Sequence, residues 1–151
     1  DMSKIDVVRA AMVEAMKAKD KQRKDALSML LSALKNFEID KKDHEPITED
    51  EANTVVKKEI KQSQETFDTA PADRDDIREE AAYRLSVYKE FAPEDMSEEQ
   101  IREVVTAVLA ELEIEKPAPS DKGKIMKVLM PKVKGKADGK AVNEILASMM
   151  K

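Results

Sequence analysis

An all-α fold is what this sequence predicts, and three observations carry the prediction. Wherever apolar residues form a run they recur at spacings of three and four, the period of one buried helical face. Several runs are preceded by a serine or threonine with an acid or amide three residues on: Ser3 with Asp6, Thr48 with Glu51, Ser97 with Gln100. That spacing lets two side chains satisfy the free amides at a helix start. Only three glycines occur in 151 residues, 39% of positions are charged, and alternating β-branched runs are scarce, which favours long solvated helices over sheet. The expected architecture is a helical N-terminal lobe of about four helices over 1–93 and a small three-helix C-terminal lobe over 94–151.

Ser3 caps the first expected helix, whose inner face carries Ile5, Val8, Met12 and Ala15. The run Lys17-Ala18-Lys19-Asp20-Lys21-Gln22-Arg23-Lys24 interrupts the apolar period and reads as a turn or exposed junction, with Asp20 capping the second helix. Leu27, Leu30, Leu31, Leu34 and Phe37 form the most regular stripe in the chain and make that second helix a long one, ending near Asp40. A polar loop comes next, in which Pro46 biases Glu45 away from helix. Thr48 then opens a third helix bearing Ala52, Val55, Val56, Ile60, Ser63 and Phe67, broken at Thr69–Asp73. The fourth places Ile77, Ala81, Leu85 and Tyr88 inside and Arg74, Arg78 and Arg84 outside, and ends at Phe91-Ala92-Pro93.

Ser97 launches a fifth helix with Ile101, Val104, Val105, Val108 and Leu112, and Lys116-Pro117-Ala118-Pro119 reads as a stiff spacer. Ser120 or Asp121 is expected to cap a short sixth helix (Ile125, Val128, Leu129) that stops at Pro131. A lysine- and glycine-rich turn leads to Asp138-Gly139, which opens a seventh helix with Val142, Ile145, Leu146 and Met149 on one face. Segment 116–151 carries nine lysines against Asp121, Asp138 and Glu144, a net of +6, whereas 1–115 has 18 basic and 29 acidic residues, a net of −11. Such asymmetry suggests a basic end that meets an anion while the rest of the chain stays soluble. Lysines in loops are also ordinary solvated surface, so charge alone does not decide.

Several chemistries have no residues to support them. The absence of cysteine excludes disulfides and thiolate metal sites. His44 is the only histidine and sits in a charged loop, so neither a catalytic base nor a zinc site is expected. No serine lies in a strand-to-helix elbow or beside a base, so no catalytic residue, cofactor or metal is assigned. No stretch approaches a membrane span, and Asp1–Arg9 lacks the pattern of a signal peptide, which points to a soluble, cytoplasmic protein. Gly135-Lys136-Ala137-Asp138-Gly139-Lys140-Ala141 imitates a nucleotide phosphate loop. It has three residues between its glycines rather than four, Ala after Lys140, and a helix rather than a strand before it. What remains is glycine backbone open to close approach and a helix N-terminus that offers amides to a phosphate.

The pattern Gly123-x-x-Met126-x-x-Leu129-Met130-Pro131-x-x-Lys134-Gly135-Lys136-Ala137-Asp138-Gly139 resembles the signature of the YqeY family. It is also similar to the C-terminal tail of the B subunit of the tRNA-dependent Asp/Glu amidotransferase, the GatB/YqeY domain. Met16-Lys17-Ala18-Lys19-Asp20-Lys21 and Tyr88 to Pro93 fit the same family, so the resemblance covers nearly the whole chain. The resemblance implies an all-helical, two-lobed protein and a role near tRNA. It also brings the label of a carbon–nitrogen ligase with glutamine as amido-N-donor. The chain resembles only the tail of that enzyme, with no ATP- and zinc-binding cradle and no Ser–Ser–Lys glutaminase, so catalysis by the chain alone is not expected.

Three roles are compatible with these residues: a non-catalytic module for tRNA or another folded RNA, an accessory partner of amidotransferase subunits or of a tRNA synthetase, or a helical protein–protein adaptor. For the first, the expected contacts are Lys122, Lys124, Lys127, Lys132, Lys134, Gly135, Lys136, Asp138, Gly139 and Lys140, with Asp138 fixing the turn as a cap.

Overall fold

In the computed structural model, which describes residues 2–150, the Ser3 side chain accepts a hydrogen bond from the Asp6 amide and starts α1 (Lys4–Lys17). The return half of that cap is not made, because the Asp6 carboxylate pairs with Arg9 at 3.2 Å. Asp20 accepts the Arg23 amide and starts α2 (Lys21–Asp40). The Thr48–Glu51 and Ser97–Gln100 pairs form reciprocal capping boxes at the starts of α3 (Glu49–Thr69) and α5 (Glu98–Glu111). α4 (Asp75–Lys89), α6 (Lys122–Val133) and α7 (Gly139–Met149) complete an all-helical fold, with no strand among the described residues. No helix among those residues is long and apolar enough to cross a membrane.

The chain divides into two compact units between Ala92 and Pro93. In the first, Val8, Leu27, Leu30, Leu34, Ala52 and Val56 are fully buried, and Tyr88 and Phe91 close the same core from the end of α4. Polar ties fasten its ends. Lys4 Nζ donates to the Phe91 carbonyl at 2.7 Å, and the Arg23 guanidinium forks onto the Glu90 carboxylate at 2.7 and 3.0 Å. Ile47, beyond the Lys42–His44 3₁₀ turn, is buried, and its amide donates to Glu38 at 2.8 Å.

Three expectations fail in this unit. Phe67 is 36% exposed, although it continues the spacing of Ile60 and the buried Ser63 along α3. Arg78 and Arg84 are half-buried rather than free on the outside. Arg78 turns back to the carbonyls of Ala70 (3.3 Å), Pro71 (2.8 Å) and Ala72 (3.0 Å) and to Asp75, supplying donors to carbonyls just past α3. Arg84 lies against Glu80 and the Met29 sulfur. Val87 is buried beside the expected Leu85 and Tyr88, while Ile77 is only half-buried.

In the second unit, Ile101, Val105 and Val108 of α5 pack with Ile125, Leu129 and Val133 of α6 and with Val142, Ile145 and Leu146 of α7. Pro131 does not stop α6, which runs on to Val133. Proline removes the amide that would donate to the Lys127 carbonyl, at a cost of about 3 kcal/mol in a helix interior. Burial of Val133, 1% exposed, returns about 1.5–3 kcal/mol, and the Lys134 amide closes the last turn onto the Met130 carbonyl at 2.8 Å. Neither Ser120 nor Asp121 caps α6: the Asp121 carboxylate points back to the Ala118 amide at 2.9 Å and closes the Pro119–Asp121 3₁₀ turn.

Candidate nucleic-acid interface

The turn between α6 and α7 is built from its backbone outward. Gly135 has φ 78°, the left-handed region that a side chain resists, and it reverses the chain. The amides of Lys136 and Ala137 both donate to the Val133 carbonyl at 2.9 Å, so the turn hangs from the buried Val133. The Lys136 carbonyl accepts the Met96 amide at 2.8 Å, which ties the turn to the segment before α5. Half-buried Ala137 packs beneath it. The loop that composition alone marks as solvated is therefore held in shape from three sides.

The lysines distribute unevenly on this frame, and all seven are exposed. Lys124 and Lys127, three residues apart on α6, face away from the stripe of Ile125, Leu129 and Val133. Lys122 begins α6, roughly 17 Å along the helix from the turn. Lys132 is drawn aside to Glu111 of α5 at 3.4 Å. Lys134, Gly135 and Lys136 form the turn itself, and Asp138, Gly139 and Lys140 enter α7. The structure thus brings Lys134 to Lys140 together at one end of α6, leaves Lys122 at the other, and compensates Lys132.

Asp138 occupies the cap position of α7 with extended backbone, yet its side chain makes no capping hydrogen bond, contrary to the expected role. The consequence is chemical. Val142 donates to the Asp138 carbonyl at 3.0 Å, whereas the amides of Gly139, Lys140 and Ala141 have no acceptor among the described residues. A side-chain carbon added at Gly139 would meet nothing within 4 Å, so the backbone is uncrowded at the first residue of the helix. Three donors at the positive end of an eleven-residue helix, beside Lys134 and Lys140, form a place where an anionic oxygen gains hydrogen bonds and charge together. Sequence reading misses the anchor at Val133 and the tie to Met96. The single signal for the former is that Val133 continues the spacing of Ile125 and Leu129 past the proline.

Among the described residues, no group of three or more histidines, cysteines or carboxylates is arranged to hold a metal ion. His44 is exposed in its 3₁₀ turn with φ 50°. No curated protein matches the chain at a significant level. A family model described as Yqey-like protein matches residues 5–150.

Proposed function

The chain belongs to the Yqey-like protein family, and on that basis we propose that it is a non-catalytic RNA-binding module that holds tRNA or another folded RNA at the α6–α7 turn. The observation that carries the reading is the set of unpartnered amides of Gly139, Lys140 and Ala141 at the start of α7, in a segment whose Lys134 and Lys140 are exposed. Phosphate contacts of this kind position a nucleic acid without reading its bases. No phenylalanine, tyrosine or tryptophan follows Phe91, so stacking on splayed bases has no platform in this unit. Recognition rests on backbone shape and charge, which suits a folded RNA. The acidic balance of 1–115 opposes indiscriminate coating and confines contact to the basic end.

The test is a mobility-shift titration of tRNA with the intact chain over a range of salt concentrations. The variant carrying Lys124→Ala, Lys127→Ala, Lys134→Ala and Lys140→Ala is expected to bind more weakly. Its log–log salt slope should be flatter by somewhat under about one unit for each phosphate contact removed. Lys132 is left in place because Glu111 already occupies it. No shift by the parent at low salt, or identical affinity and slope in the variant, refutes the reading. Incubation of the chain alone with glutamine, ATP, magnesium and misacylated tRNA is expected to yield no amidated product above a protein-free control.

A further inference from the structure

The acidic total of the first 115 residues conceals a second basic cluster. Residues 17–24 hold Lys17, Lys19, Lys21, Arg23 and Lys24 against Asp20 alone, a net of +4. The fold gathers them at the elbow between α1 and α2. Ala18 and Lys19 donate to the carbonyls of Glu14 and Met16, and Asp20 to that of Ala15, which closes α1 with Lys19 in the left-handed region at φ 58°. Asp20 is then consumed as the cap of α2. Below the elbow lies an open depression of about 390 Å³ bordered by Ala15, Met16, Lys19, Asp20, Lys21 and Lys24. Its surface is mainly apolar, supplied by Ala15, Met16 and the lysine stems. Met16 is 54% exposed. Lys19 and Lys21 make no ion pair among the described residues, and Lys24 touches only its neighbour Asp25 at 3.1 Å.

We propose that this elbow docks an acidic protein segment that presents apolar side chains between carboxylates. An apolar floor with a cationic rim is the arrangement of a protein–protein contact, in which a buried anchor supplies affinity and surrounding charges exclude water and select the partner. The depression is shallow and open, which suits the side of a docked segment rather than an enclosed small molecule. Methionine at the floor adapts to the shape of the inserted side chain. An RNA backbone fits less well. It has no apolar group to fill the floor, and none of the residues bordering the depression is aromatic. Arg23, the residue best suited to fork onto phosphate, is committed to Glu90 through two hydrogen bonds. This surface and its partner are separate from the RNA contact proposed for the α6–α7 turn.

The test uses the full chain with carbon-13 methyl-labelled methionine, the Met16 signal being assigned by its loss in Met16→Ser. The probes are a short helical peptide with leucines on one face and glutamates beside them, the same peptide with serine for leucine, and an RNA hairpin. The leucine peptide is expected to shift the Met16 methyl saturably, while the serine peptide and the hairpin leave it unmoved. Lys19→Gln, Lys21→Gln and Lys24→Gln together, with the parent's circular dichroism spectrum retained, should weaken the leucine peptide about tenfold, a loss of under about half a kcal/mol for each rim charge. The proposal is overturned by absence of a saturable Met16 shift, by an equal response to the serine peptide, or by a stronger response to the hairpin. The tRNA titration of the α6–α7 turn reads a different unit, so either proposal can fail alone.

Discussion

Replacing Gly139 with proline removes one backbone amide from the N-terminus of α7 and none of the hydrogen bonds that hold the fold. Gly139 is the first residue of the helix, where proline's fixed φ is already suitable and its missing donor has no partner to lose. Asp138 before it has φ −68° and ψ 128°, the extended conformation that a following proline requires. The ring enters space in which an added side-chain carbon meets nothing within 4 Å. Stability should rise by about 0.4–1 kcal/mol, because the unfolded chain loses freedom. RNA binding should move the other way. An amide bonded to a charged phosphate oxygen is worth about 1.5–3 kcal/mol, so its loss corresponds to an affinity roughly ten- to a hundredfold lower. Fluorescence anisotropy with labelled tRNA at fixed salt gives the second number and thermal unfolding the first. Gly123→Ala is the control: its site is equally open, its amide is kept, and tRNA affinity should not change. A Gly139→Pro protein that melts no lower than the parent and binds tRNA as tightly refutes the assignment of these amides.

The remaining expectations concern the first unit. Leu31, 5% exposed in the middle of α2, should cost about 2–5 kcal/mol as Leu31→Ala in urea unfolding, and a change near zero would mean that α2 is turned the other way. Arg78→Met should destabilise by about 1–3 kcal/mol, since it strips donors from the carbonyls of Ala70, Pro71 and Ala72, and a neutral result would show that water replaces the guanidinium. Hydrogen bonding to Arg23 holds the Glu90 carboxyl below its ordinary range. Its contribution is therefore present above the ordinary glutamate pKa and is lost as pH falls through the lowered folded value. The pair is substantially exposed, so that contribution is about 1 kcal/mol or less. Glu90→Gln should be less stable at neutral pH and lose less on acidification below about pH 4.5 than the parent, and parallel pH–stability curves would show that the pair contributes nothing.

What the sequence discloses and what it hides divide along physical lines. Caps and stripes are local, so Ser3, Asp20, the Thr48–Glu51 and Ser97–Gln100 boxes and the leucines of α2 can be read from spacing alone. Pro131 misleads because the local penalty for proline is visible in sequence, whereas the burial of Val133 that offsets it depends on α5 and α7. Asp121 and Asp138 have the right type for caps, but tertiary geometry gives one to the Ala118 amide and leaves the other without a capping bond. Arg78 and Arg84 look like surface charges because no sequence rule announces a cation recruited to stray carbonyls or laid against a methionine. At the basic end, composition marks the lysines correctly as exposed. It cannot distinguish Lys132, paired with Glu111 across the unit, from Lys134 on the turn. The elbow cluster stays hidden in composition because a charge sum over 115 residues cancels a local +4.

The sharpest test of RNA binding at the α6–α7 turn is a nitrogen-15 amide spectrum of the intact chain titrated with tRNA. Shifts and broadening are expected to concentrate at residues 134–141, with the Gly139, Lys140 and Ala141 amides moving downfield as they bond to phosphate, and with Lys124 and Lys127 affected next. Saturating tRNA that leaves those amides where they were, or that perturbs only residues 2–92, contradicts RNA binding at this turn.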